Sequence, residues 1–213
     1  MSTTSSRPRP FDAVLCDLDG VVRHWPPADT LELANGLPVG ALAAAAFAPA
    51  RLHPAVTGEV TDEQWRAAVT DDLAARHGSR RGAEAMVADW SAVLPVVDED
   101  VVALLRQVRE VAAVALVTNA TTRLERDLER QGLDDLADLV VNTARIGVAK
   151  PDPRVVRHAA ERLGVPVGRC LFVDDTEANV LAARETGMTA LHHRRVADLR
   201  TALAPLLGVG GAA

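Results

Sequence analysis

Cysteine is scarce. The 213-residue chain holds two, Cys16 and Cys170. A disulfide framework needs more cysteines in a shorter chain, so a small stapled scaffold is excluded. Both lie in apolar runs and are expected as reduced, buried thiols. Long apolar stretches are missing too. The alanine-rich run from Ala41 to Pro49 falls far short of the ~20 residues that span a bilayer, and reads as part of a buried helix. The polar start, Met1 to Pro10, has no apolar segment of a secretory signal, so the expected location is the cytoplasm. Basic charge is not in excess: 23 Lys and Arg face 29 Asp and Glu, a formal net charge of -6. Such a chain lacks the basic face that nucleic acid requires, yet a local basic pocket for a small anion remains open to it. Internal repeats are absent. What is present is ordinary for a globule: 48% hydrophobic and 24% charged residues, enough to build a buried core.

Four short apolar runs read as buried strands: Phe11 to Cys16, Val111 to Val117, Cys170 to Val173 and Met188 to Leu191. Leu139 to Val141 is a weaker fifth. Helical patterns separate the later runs. Asp98 caps a helix to about Glu110, and Thr121 or Thr122 caps one to Gln131 with Gly132 as its stop. Asp152-Pro153 opens a third, ended by Gly164, and Thr176 to Glu185 makes a fourth before Gly187. This alternation predicts βαβ units with a parallel sheet covered on both faces. The stretch from Trp25 to Pro95 breaks it, with helical signals and no clear strand. Thr61-Asp62-Glu63-Gln64 is a capping start ahead of Trp65, Ala68, Val69 and Leu73 at helical spacing. Gly78 to Gly82 reads as a turn and Ala83 to Val93 as a further helix. The ends, Met1 to Pro10 and Gly208 to Ala213, are expected as loose tails.

Four short motifs sit where strands end or helices begin. Asp17-Leu18-Asp19-Gly20-Val21-Val22 follows the first strand, at the carboxyl edge where parallel sheets hold ligands. Alone it is equally a solvated loop. Thr118-Asn119 ends the second apolar run and can hydrogen-bond phosphoryl oxygens or simply cap a helix. Lys150 precedes Pro151 and offers a compact positive charge; an unaccompanied lysine is more often a surface residue. Asp174-Asp175 ends the third apolar run, and adjacent carboxylates call for a hard divalent cation. Asn179 follows four residues on. The ordered set carries weight that no single member does.

In that order the motifs resemble the haloacid dehalogenase-like (HAD) hydrolase superfamily, in its helical-cap phosphatase branch, from Phe11 to about Leu206. The resemblance implies an α/β fold, a Rossmann-like three-layer sandwich with a parallel sheet and an inserted α-helical cap. Residues 1-24 and 96-213 would form the core and 25-95 the cap. It implies Asp17 as nucleophile, Asp19 as general acid and base, and Lys150 as the group steadying nucleophile and phosphate. Thr118 and Asn119 would hold the phosphoryl group. Mg²⁺ would sit on Asp17, the Asp19 carbonyl and Asp175, with Asp174 assisting, and Asn179 would brace the metal loop. The expected reaction is hydrolysis of a small phosphorylated metabolite through an aspartyl-phosphate. Neither nucleic acid nor a membrane is an expected partner, and oligomeric state is unspecified.

Within the same superfamily, a phosphomutase shares every motif, whereas a dehalogenase lacks the Asp19 carboxylate and the Asp174-Asp175 pair. A non-catalytic binding protein on this scaffold would normally have lost a carboxylate. A phosphorylatable receiver would place its lysine after the acidic pair. Arg23 and His24 lie just past the first motif, where the chain leaves for the helical block; His24, Trp25 and Arg51 or His53 are candidates for a substrate-facing wall, with His24 the one assigned to substrate. Trp25, Trp65 and Trp90 read mainly as packing anchors, and His192-His193 as surface residues. Gly58-Glu59-Val60-Thr61 with Trp65 loosely resembles sugar-phosphate phosphatases and points to a sugar or polyol phosphate.

Overall fold

The computed structural model describes residues 9–208, so the expected tails lie almost wholly outside the described residues. In chain order the elements are β1 (Ala13–Cys16), β2 (Arg23–His24), α1 (Asp29–Ala34), α2 (Ala41–Ala46), α3 (Pro49–Val56), α4 (Asp62–His77) and α5 (Arg80–Ala92). There follow β3 (Val96–Val97), α6 (Glu99–Arg109), β4 (Ala113–Thr118), α7 (Leu124–Gln131), β5 (Leu139–Asn142) and α8 (Thr143–Ile146). The chain closes with α9 (Pro153–Leu163), β6 (Cys170–Asp174), α10 (Glu177–Glu185), β7 (Thr189–His192) and α11 (Val196–Leu207).

Five strands form one parallel sheet in the order β5-β4-β1-β6-β7. Successive side chains of a strand face opposite sides, so β1 feeds two cores. Val14 and Cys16 point into a cluster covered by α6, α7 and α11. Ala13 and Leu15 point into a second cluster under α9 and α10, with Phe172 at its centre. The result is the Rossmann-like three-layer α/β sandwich that the alternation predicts. The chain runs from β1 outward through β4 to β5, then returns on the other side of β1 with β6. The crevice at such a reversal point, beyond the strand carboxyl ends, is where open α/β sheets take ligands.

Helices α1 to α5 carry a separate apolar cluster built from Leu42, Trp65, Val69, Leu73, Met86 and neighbours. They enter and leave through a two-stranded antiparallel ribbon, β2 with β3, which the sequence pattern does not reveal because each strand has two residues. The Thr61 capping box forms as expected: its hydroxyl accepts from the Gln64 amide, and the Gln64 side chain accepts from the Thr61 amide. The alanine-rich run is not one helix. It stops after Ala46, and Pro49 at the first position of α3 starts another, since proline lacks the N–H that would continue the first. The expected Gly78 to Gly82 turn shortens to Gly78-Ser79, because the Ser79 hydroxyl accepts from the Gly82 amide and starts α5. Gly58, at φ +73, ends the turn after α3, where an added Cβ would lie 2.0 Å from the Ala144 carbonyl oxygen of α8. Only glycine permits that approach of helical block to core.

Sequence reading gives no warning of Glu32. It is 1% exposed, yet its Oε2 accepts from the Gly40 amide and its Oε1 from the Leu42 amide, both at 2.7 Å. This carboxylate caps α2 from eight residues upstream, satisfying donors that a helix start leaves open. Replacing it strands the buried Leu42 N–H and leaves the partly buried Gly40 N–H without its acceptor. Glu32→Ala is expected to lower stability by roughly 2–4 kcal/mol, and Glu32→Gln by less. Urea unfolding followed by circular dichroism checks this; equal midpoints for wild type and Glu32→Ala would contradict the cap.

Candidate active site

Three neighbouring strands deliver the site. β1 ends into Asp17, whose amide donates to the Val173 carbonyl at 2.8 Å and so continues the ladder to β6. β4 ends at Thr118, and β6 ends at Asp174. Asp17 and Asp174 are buried, and Lys150 arrives between them from the loop after α8. Its Nζ lies 2.8 Å from Asp17 Oδ1, 2.7 Å from Asp174 Oδ2 and 2.9 Å from the Val117 carbonyl oxygen. An ammonium has three donors, and all three are engaged. Asn119 fixes the backbone of this lysine. Its Oδ1 accepts from the Lys150 amide at 2.8 Å and its Nδ2 donates to the Lys150 carbonyl at 2.9 Å. The Asn119 side chain is therefore committed to Lys150 rather than turned to a ligand, which narrows its expected part in phosphoryl binding.

Burial pushes the Asp17 carboxyl up to about 7, against the pull of Lys150 and with the help of the Asp174 charge. The carboxylates raise the Lys150 ammonium in spite of its burial. Asp174 is engaged on both oxygens: Lys150 holds Oδ2, while the Thr176 amide and Asn179 Nδ2 donate to Oδ1 at 2.8 and 3.0 Å. Asn179 thus braces the loop as the resemblance implies. Asp175 is exposed, and one oxygen each from Asp17, Asp174 and Asp175 falls within 4.8 Å of the others. Three carboxylates against one ammonium leave two negative charges uncompensated. Oxygen donors with that charge suit a hard divalent cation such as Mg²⁺. Gly20, at φ +86, makes room for the cluster, since a Cβ there would lie 2.1 Å from Asp175 Oδ2.

Family comparison agrees with this geometry. The profile of the haloacid dehalogenase-like hydrolases matches residues 11–187. The chain belongs to that family. A pyrimidine 5'-nucleotidase of Escherichia coli (strain K12) is 37% identical to this HAD-like hydrolase over 100 residues, which cover 44% of the chain and only 44% of that relative's length. A phosphoglycolate phosphatase of Xanthomonas campestris is 28% identical over 190 residues, 84% of this chain and 81% of the relative. A HAD family enzyme of Bacteroides thetaiotaomicron, solved with magnesium and inorganic phosphate, superimposes with a TM-score of 0.70 at 19% identity, covering 86% of this chain and 94% of that one. At that identity the likeness is one of fold.

Asp19 stands apart from the other carboxylates of this hydrolase. Arg23 Nε and the Trp25 indole Nε1 both donate to its Oδ1 at 2.7 Å, and Arg23 Nη2 reaches Oδ2 at 3.3 Å. Trp25 is therefore no packing anchor; it is 42% exposed and oriented by Asp19. Arg23 is buried, while His24 is its neighbour on β2 and points the other way, with Nε2 4.0 Å from Asp98 Oδ2. Alternation along the strand turns His24 away from the cavity beside Asp19 and puts Arg23 in its wall. Arg51 pairs with Asp72, and neither Arg51 nor His53 lines the cavity beside Asp19. His193 is not a surface residue: its amide donates to the Asp174 carbonyl, and burial holds its imidazole below the usual pKa.

Lys150→Met removes the cation that lies between two buried carboxylates. With metal chelated, it is expected to lose about 3–5 kcal/mol of stability, measured as a fall in the urea midpoint. Adding Asp174→Asn to that variant is expected to recover part of the loss. An unchanged midpoint in the single variant would contradict the pairing.

Proposed function

We propose that the protein is a Mg²⁺-dependent phosphatase that hydrolyses a small phosphate monoester through an aspartyl-phosphate on Asp17. The observation that carries this is the buried Asp17-Lys150-Asp174 arrangement with Asp175 alongside. A carbon–halogen hydrolase has no need of the Asp174-Asp175 pair or of a second carboxylate at position 19. The residues fit the cation: Asp17, the Asp19 main chain and Asp175 would hold it, with Asp174 behind them. Once bound, Mg²⁺ neutralises phosphoryl oxygens and so lowers the barrier that an anionic ester presents to an anionic nucleophile.

The chain's own residues perform the rest. Lys150 Nζ and the Leu18 amide, at 2.8 and 2.7 Å, hold Oδ1 of Asp17, and this fixes the carboxylate for in-line attack. The new bond joins an Asp17 oxygen to phosphorus, while the phosphorus–ester oxygen bond breaks. Asp19 delivers a proton to the departing alcohol. Asp19 then takes a proton from water, which attacks phosphorus and frees Asp17 with release of phosphate. Thr118 and the Asn119 amide face the phosphoryl group in this scheme, while the Asn119 side chain keeps Lys150 in register. Helices α1 to α5, residues 25–95, act as the cap over the core of residues 1–24 and 96–213; their separate apolar cluster and the β2-β3 tether support that division.

Phosphate release from p-nitrophenyl phosphate tests the reading. Activity is expected with Mg²⁺, lost on chelation and restored when Mg²⁺ returns. Asp17→Asn is expected to reduce kcat at least about a thousandfold with an unchanged circular dichroism spectrum. Near-normal turnover in that variant would rule out Asp17 as the nucleophile.

A further inference from the structure

A cavity of about 480 Å³ opens on the far side of Asp19, between the cap helices and the loop after β4. Asp19 forms part of its wall, so the alcohol that Asp19 protonates would lie inside it. The wall is mainly apolar. Trp25, Phe47, Trp65 and Trp90 line it together with aliphatic side chains such as Leu31 and Val39. Phe47 meets Trp90 edge-on at 6.5 Å, and Trp65 meets Trp90 at 5.3 Å. Phe47 and Val39 are more than half exposed, so this apolar surface is open to an incoming group.

The polar groups in the wall are largely engaged elsewhere. Glu32 caps α2. Asp62 holds Arg66 at 2.7 Å and accepts from the Thr121 hydroxyl at 2.8 Å. Arg66 also donates to the Ser91 hydroxyl and lies 4.1 Å from the Trp90 ring centroid. Asp127 pairs with Arg123, and Asn119 clamps Lys150. Asp29 is exposed. A hydroxyl-rich alcohol entering here would shed its water and find few partners in return.

We infer that the leaving group is an apolar alcohol, so that the substrate class is alkyl or flat aromatic phosphate monoesters rather than sugar phosphates. This assignment rests on the phosphatase reading for its chemistry, and on the cavity alone for its selectivity.

A series of n-alkyl phosphates from methyl to hexyl, beside glucose 6-phosphate, tests it with Mg²⁺ present. kcat/KM is expected to rise about fourfold per methylene, and Phe47→Ala is expected to flatten that slope. A flat series, or a preference for glucose 6-phosphate over hexyl phosphate, would overturn the assignment. Binding supplies a second readout that needs no turnover. The chain has three tryptophans, and all three line the cavity, so intrinsic fluorescence reports on its occupancy. Hexyl phosphate is expected to saturate the signal at lower concentration than methyl phosphate. If no ester is hydrolysed but this order of binding holds, the phosphatase reading falls and the cavity assignment stands. Hydrolysis with no chain-length dependence in either readout gives the reverse, and absence of both turnover and binding removes both.

Discussion

A single ammonium held between two buried carboxylates organises this molecule. Lys150 touches Asp17, Asp174 and the Val117 carbonyl, one contact from each of the three central strand ends β1, β6 and β4. Burying two carboxylates side by side is strongly unfavourable unless positive charge accompanies them. The lysine supplies one charge, and the remaining negative charge, raised further by Asp175, is what makes the crevice a cation site. Burial, aided by the Asp174 charge, lifts Asp17 towards neutral pKa, so a cation near it favours the ionised form that a nucleophile requires.

Position follows from the sheet. Because β1, β4 and β6 are adjacent and parallel, their carboxyl ends lie side by side, and residues more than 150 positions apart in the chain become neighbours. The loop bearing Lys150 has no strand to place it, and the two hydrogen bonds from Asn119 do that work. Asp19 lies two residues beyond Asp17 but faces the cap, where Arg23 and Trp25 hold it. The turn at Gly20 separates the two carboxylates; in the proposed mechanism one would face the phosphoryl group and the other the leaving group.

Much of this was legible in the sequence where the signal is local. Five strands, the Asp98 and Asp152 caps and the Thr61 capping box depend on neighbouring residues, and the structure has them. The start of α7 was not, and the reason is tertiary. Thr121 and Thr122 do not cap it; the Thr121 hydroxyl donates to Asp62 Oδ1, and the Thr122 hydroxyl accepts from the Asp62 amide, both at the N-terminus of α4. Two threonines that look like helix caps join the core to the helical block instead. Glu32 went unnoticed because a buried charge resembles a surface charge until its partners are known. His24 and Arg23 were distinguishable only once β2 existed, since a two-residue strand leaves no periodicity to read. The motifs at Asp17, Thr118 and Asp174-Asp175 were readable because each lies at the end of a strand, whereas Lys150 lies in a loop and gained weight only from its place in their order.

The account turns on whether Asp17 accepts a phosphoryl group beside a cation held by these carboxylates. Diffraction from crystals grown with Mg²⁺ and beryllium fluoride, a mimic of the phosphoryl group on aspartate, measures this directly. The account predicts beryllium fluoride bonded to an Asp17 carboxylate oxygen, with Mg²⁺ contacting Asp17 and Asp175 and Lys150 still in place. Beryllium fluoride on another residue, or Mg²⁺ bound away from these carboxylates, would contradict it.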